Sequence, residues 1–339
     1  MPSVHGSRAS RDVADLAREA LARRNPILRD GRTNILRIVN GALDGLPGLV
    51  VERYGEVLIA QLHEGRLTLS EADAQRACAA VLEACGARCV YRKWFPRDRS
   101  GGRSPGSDAT DEAANREPTP WLGQAADEEY DALENGVRFR IRPHDGFSVG
   151  LFPDQRGNRE RVRKLAGGRR VLNTFAYTCG FSVAAALGGA TATVNVDVSR
   201  RFLEWGKRNF AANQLSLDAH RFFADDTFDA YKRLARRGER FDLIILDPPT
   251  FARTRDGRPF SVARDMQALI EGALPLASRG CALLISTNHR GTDRRRLETA
   301  LESAAGACGR DVRVTERPRL PLDFRGDAEH ATAIFATVS

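Results

Sequence analysis

FDLIILDPP, residues 241–249, is apolar except for Asp242 until it reaches Asp247, and two prolines follow at once. A short apolar run of this kind reads as a strand buried on both faces, the type that parallel sheets use. A carboxylate at the end of such a strand is costly unless it has a partner, and tandem prolines stiffen the next turn while removing backbone donors. Asp247, Pro248 and Pro249 therefore read as a catalytic turn, with a carboxylate and free carbonyls turned toward a flat base.

The same grammar extends to either side. VLNTF (171–175), TVNVDV (193–198) and ALLIST (282–287) are further buried β runs, separated by helical patterns after Gly180, through Asn213 and near Asp265. Such alternation predicts an α/β fold of the Rossmann-like kind, a doubly wound, mostly parallel sheet that binds ligands at the carboxyl ends of its strands. The first strand end carries Phe175, Tyr177, Thr178 and Gly180, the glycine suiting close approach of backbone to a ligand. A dinucleotide loop would need GxGxxG here, and its absence argues against NAD or FAD. The second end is Asp197-Val198-Ser199. Asp197 there suits the two hydroxyls of a ribose, or equally a helix cap. Asp225 and Asp226, after the third strand, are within reach of an adenine amine, although adjacent acids are usually just solvated.

With 339 residues, the chain has room for two compact units. Residues 1–34 read as a helical segment, with a helix over 10–24 that Asn25-Pro26 stops. Residues 35–145 read as a small α+β domain for RNA or substrate. It closes on a hairpin turned by Asn135-Gly136, and its segment 96–120 is too polar to bury a core and is expected to be disordered. Residues 146–339 form the catalytic domain. The formal charge of +8 and a pI near 9.5 favour a polyanionic partner, although the excess of Arg over Lys has a compositional explanation too. Six scattered cysteines without a CxxC pair suggest neither a metal site nor disulfides. No apolar run is long enough to span a bilayer, and the start lacks a secretory core. The expectation is a soluble, cytoplasmic protein, with a homodimer left open.

Five stretches resemble the bacterial 23S rRNA large-subunit methyltransferases of types I and K: DGLPGLVVERYG from Asp44, GLFPDQRGNR from Gly150, VLNTFAYTCGFSVAAALGGA, VDVSRRFLEWGKRNFAANQL and FDLIILDPPTFARTR. The likeness runs from Ile35 onward and is closest in the catalytic half. It implies S-adenosylmethionine as cofactor and 23S rRNA or a large-subunit precursor as partner. It further implies that the segment from Tyr177 to Gly180 wraps the cofactor, Asp197 holds its ribose, Asp226 its adenine, and Asp247 borders its methionine and the target base. Asp154, Gln155 and Arg156 resemble the segment leading into the cofactor pocket. Phe251, Arg253 and Arg290 complete the expected substrate contacts.

Three departures matter. Type I members begin with a small RNA-binding domain of the PUA kind, which the residues before Ile35 are too few to contain, and Pro153 interrupts the usual LDQR pattern. The third separates chemistries. Type I acts on cytosine C5, a poor nucleophile that needs a cysteine thiolate added at C6. The resemblance implies that this cysteine would stand at the end of the fifth strand in an SCS motif, where this chain reads LLISTNHRG with Asn288 in that place, while Cys281, at the beginning of the same strand, reads as a core residue. Type K acts on guanine N7, whose lone pair needs only positioning. The resemblance here is to type K, with Asn288 hydrogen-bonding the base edge, so the expectation is direct methylation of guanine N7. A cytosine-C5 or exocyclic-amine methyltransferase and an inactive cofactor- and RNA-binding factor are the alternatives, with a dehydrogenase more distant.

Overall fold

A computed structural model describes residues 11–96, 115–253, 259–289, 291–327 and 331–339, with backbone alone for 251–253 and 259. Most of the expected loop 96–120, and Arg290, lie outside the described residues. Two compact units emerge, Met1–Ala132 with Arg142–Val149, and Leu133–Ile141 with Gly150–Ser339. Where the sequence suggested one cut at 145, the division crosses the chain three times. Residues 133–141 join the second unit because Asn209 and Asn213 accept from the Arg140 and Arg138 amides at 2.8 and 2.9 Å, and the Trp205 indole donates to the Arg140 carbonyl.

The first unit runs α1 (Val13–Leu28), β1 (Ile35–Asn40), β2 (Leu49–Tyr54), β3 (Val57–His63), α2 (Glu71–Cys85), β4 (Cys89–Phe95) and β5 (Leu122–Gly123). Its sheet has the order β1-β2-β3-β4-β5, with β3 and β4 parallel and the other pairs antiparallel. Both helices lay small residues, Ala17 and Ala20 from α1 and Ala74 and Ala77 from α2, on Leu36, Val51, Leu58 and Leu62. Each fully buried leucine of that layer contributes about 1.5–3 kcal/mol. The expected stop at Asn25-Pro26 does not occur, because α1 continues to Leu28 with Pro26 inside it. Pro26 lies in the last turn, where the missing N–H forfeits a single bond and Arg29 still donates to the Asn25 carbonyl. The turn between β6 (Tyr130–Glu134) and β7 (Val137–Ile141) is as read, with Asn135 and Gly136 both left-handed.

The second unit continues with α3 (Arg156–Leu165), β8 (Arg170–Thr174), α4 (Gly180–Leu187), β9 (Ala192–Asp197), α5 (Arg200–Ala212), β10 (His220–Ala224), α6 (Thr227–Arg236) and β11 (Phe241–Leu246). Then come β12 (Phe251–Arg253), β13 (Pro259–Ser261), α7 (Val262–Ala273), β14 (Ala277–Thr287), α8 (Arg294–Ala307), β15 (Val312–Glu316) and β16 (Thr332–Val338). Seven strands form one sheet in the order β10-β9-β8-β11-β14-β16-β15. The first five are parallel, and β16 is antiparallel to both its neighbours. Apolar layers cover both faces, one gathering residues of α6, α7 and α8, the other Val162 of α3 and Phe181 of α4. This is the Rossmann-like arrangement expected. Strand order reverses between β8 and β11, which opens a crevice at their carboxyl ends.

Candidate functional site

The loop leaving β8 is held in an uncommon backbone state. Phe175, Tyr177 and Cys179 all have positive φ (54°, 49° and 60°), shared among the other non-glycine described residues only by Asn135 and Gln214. Each such residue costs of order 1–3 kcal/mol and persists only where its surroundings impose it. Here the Ala176 amide donates to the Val196 carbonyl at 2.9 Å, and the Tyr177 amide to Asp197 Oδ2 at 2.8 Å. The Thr178 hydroxyl donates to the Gly150 carbonyl at 2.6 Å, and Asn209 holds the Thr178 carbonyl. A Cβ at Gly180 would meet Leu151 Cδ1 at 3.0 Å and Arg159 Cδ at 3.5 Å, so the glycine leaves room for these two side chains.

Asp197 ends β9 with both carboxylate oxygens in use, Oδ2 accepting from Tyr177 and Oδ1 from the Ser199 amide, each at 2.8 Å. The cap of α5 is Ser199, which accepts from the Phe202 amide at 3.3 Å. Burial raises the Asp197 carboxyl above its usual range, although the two N–H donors pull the other way. Beside it Val198 is 63% exposed, an apolar face left open next to an acid. The tandem acids after β10 have local duties. Asp225 pairs with Arg233 and accepts from the Asp226 amide, and Asp226 caps α6 by accepting from Phe228 and Asp229.

Asp247 stands level with Ser286, because β11 and β14 run parallel with Leu246 opposite Ile285. The Ser286 hydroxyl donates to Asp247 Oδ1, and Gln155 Nε2 reaches the same oxygen at 3.1 Å. Gln155 is itself held, its Oε1 accepting from Asn158 at 2.6 Å. Burial at the strand end pushes the Asp247 carboxyl up to about 6, opposed by the Ser286 hydrogen bond and aided by the charge of Asp154. Pro248 is buried and Pro249 exposed. On the next strand end Asn288 is exposed, and its Oδ1 accepts from Thr250 Oγ1 at 2.7 Å.

Gln155, Asp247 and Asn288, far apart in sequence, thus share one carboxyl edge. The Arg156 guanidinium is buried in an ion pair with both oxygens of Asp323. Phe251 and Arg253 are described by backbone only, in β12, which pairs with β13. Ser286, Thr250 and Asn158 carried no individual signal. Ser286 lies 131 positions from Gln155, so their meeting follows from the tertiary fold, which sets the turn before α3 over the ends of β11 and β14. An acid with an exposed apolar neighbour, a constrained loop and a second acid, on adjacent strand ends, fit a nucleoside-bearing cofactor in one crevice.

The comparisons with known proteins agree. The model of the S-adenosylmethionine-dependent methyltransferase family matches residues 112–332. A ribosomal RNA large subunit methyltransferase of Deinococcus radiodurans is 31% identical over 96% of this chain and 78% of its own length. The ribosomal RNA large subunit methyltransferase I of Escherichia coli is 30% identical over 89% and 71%. A solved structure described as a methyltransferase complexed with SAH superposes with a TM-score of 0.84 at 26% identity, covering 98% of this chain and 83% of that one. Sequence, sheet order and crevice lead to one conclusion: the chain is an enzyme of the S-adenosylmethionine-dependent methyltransferase family.

Proposed function

We propose that this methyltransferase acts on large-subunit ribosomal RNA and methylates guanine N7 directly, with no covalent enzyme–RNA intermediate. The RNA substrate is supported by the names of the relatives from Deinococcus radiodurans and Escherichia coli and by the net positive charge. The cofactor supplies an electrophilic methyl group on a sulfonium. Its adenosine would lie over Val198, with a ribose hydroxyl donating to Asp197. The loop bearing Phe175, Tyr177 and Thr178 would close beside it, with Asp154 and Gln155 at the entrance, next to Asp247. Asp225 and Asp226 keep their local roles and border the adenine. Gly180, Ser199 and Arg156 support this pocket from behind.

The observation that carries the choice of atom is Asn288, an amide and not a thiol at the end of β14, with its carbonyl taken up by Thr250. That leaves the Asn288 NH₂ to donate outward. Guanine presents N7 and O6 side by side as acceptors, whereas the edge of cytosine beside C5 presents an amine donor. An outward donor therefore fits guanine O6 next to the reacting N7 and opposes the cytosine amine. N7 needs no proton removed, so orientation by Asp247, Asn288 and the rigid Pro248-Pro249 turn suffices. Phe251, Arg253 and Arg290 would flank the base.

Transfer to cytosine C5, which the type I resemblance implies, needs a thiolate within reach. The strand β14 begins at Ala277, four residues earlier than Cys281, which lies inside it seven residues before Asn288, so the two are about 23 Å apart along an extended strand. Mass spectrometry of rRNA nucleosides from a deletion strain tests the assignment. Loss of one 7-methylguanosine is expected, and unchanged 7-methylguanosine with loss of 5-methylcytidine would reverse it.

A further inference from the structure

Arginines gather at the carboxyl edge of the seven-stranded sheet, on elements to which the chemistry above gives no role. The strand β15 runs parallel to β14, because both are antiparallel to β16, so the chain leaving β15 emerges on the same edge as the start of α8. From α8 come Arg294, Arg295 and Arg296, and from the segment after β15 come Arg319 and Arg325, all five exposed. The two pieces are tied together, Arg294 Nη2 donating to the Pro318 carbonyl at 3.1 Å and Arg317 pairing with Glu298 at 2.7 Å.

Nearby carboxylates are engaged elsewhere. Asp293 caps α8, Glu298 is held by Arg317, Glu316 pairs with Arg161 at 2.6 Å, and Asp323 is buried with Arg156. None of the five arginines forms an ion pair among the described residues. Three of them occupy the first turn of a helix, where the backbone dipole already carries positive charge and cations are disfavoured. Within the described protein, the Arg294 guanidinium feels the charge of Glu298, which Arg317 already holds. The Asp323–Arg156 pair adds a geometric link, because it anchors the turn between Arg319 and Arg325 to the residue next to Gln155, which holds Asp247.

We infer that Arg294, Arg295, Arg296, Arg319 and Arg325 form a phosphate-binding track for the RNA strand that carries the target base to Asp247. This rests on the RNA reading above and adds where the strand runs. Guanidiniums match phosphate oxygens in geometry and gain affinity through counterion release. Backbone contacts of this kind position the strand without reading its sequence.

The test uses the full chain, a fluorescent large-subunit rRNA transcript as probe, and anisotropy titrations across a salt series. The variant R295Q/R319Q/R325Q removes three guanidiniums that make no hydrogen bond to the rest of the described protein. The five-residue variant adds R294Q and R296Q. R236Q/R237Q, at the end of α6 on the opposite edge, shows what the loss of two positive charges away from the track does. Calorimetric titration with S-adenosylmethionine, expected to be unchanged in all of them, controls for folding. The three-residue variant is expected to bind RNA at least about 10-fold more weakly near 0.1 M salt, with a salt slope shallower by about 2, or roughly 0.7 per lost contact. RNA affinity and slope equal to those of the unaltered protein overturn the track while leaving the RNA reading intact. An equal loss in R236Q/R237Q also overturns it, as a general charge effect. Unaltered protein with no salt-dependent RNA binding overturns both.

Discussion

In the proposed reaction, Asp247 is the residue whose ionisation matters. Its carboxyl is pushed up to about 6 by burial, and the ionised form is the one that accepts N–H donors from a base. The kcat/KM for an rRNA fragment, measured from about pH 5 to 8, is therefore expected to climb through about 6 and then level. A flat profile would remove Asp247 from that role. Stability runs the other way. The folded value lies above the unfolded 3.8, so the contribution is complete below 3.8 and is lost as pH rises through about 6. Asp247→Asn, neutral at every pH, is expected to raise stability at pH 8 by up to about 3 kcal/mol in denaturant titrations. The same change is expected to lower transfer by about 100-fold. Together these outcomes separate a working carboxylate from a structural one.

Between α5 and the loop after β8 the packing leaves no spare volume. A Cβ at Gly206 would lie 2.4 Å from Cys179 Sγ, and Cys179 is one of the three left-handed residues. Gly206→Ala is expected to cost about 1–3 kcal/mol by thermal melting and to weaken cofactor binding, with Cys179→Ala, which removes Sγ but keeps the Cβ, restoring part of both. The parent glycine is required by close approach, the Cys179 Cβ and the Thr178 carbonyl carbon lying 2.9 and 3.3 Å from where its Cβ would stand. What could be read in advance follows the same physics. The strands β8, β9, β11 and β14 were legible because apolar runs between helical patterns have few other readings, and Asp197 and Asp247 were legible because acids ending such runs are expensive. Pro26 misled because a proline in a last turn forfeits little. The partners of Asp247 were hidden, since Ser286 reaches it through sheet register and Gln155 from a turn outside the sheet. Arg156 was assigned to the cofactor by resemblance, while its burial against Asp323 depends on a segment 167 positions away.

Across the whole molecule, burial raises the thiols of Cys78, Cys85, Cys89, Cys179, Cys281 and Cys308 above their ordinary value. Thiolate chemistry is disfavoured at each. Incubation with S-adenosylmethionine and rRNA containing 5-fluorocytosine is expected to leave no covalent protein–RNA complex on a denaturing gel, since that adduct forms only when a thiolate has attacked C6. Cys281→Ala is expected to keep transfer within a few-fold. The seven-stranded sheet also sets an order of assembly. The strand β16 follows β15 in the chain yet lies between it and β14, and among the described residues β15 pairs with no other strand. Two strands with a slot between them must therefore wait for a third, a non-local closure of the kind that slows folding. Pulse-labelled hydrogen exchange during refolding is expected to protect β15 only together with β16 and after β8 and β11. The arginine-bearing segment beyond β15 would then be among the last parts of the sheet edge to take its final position.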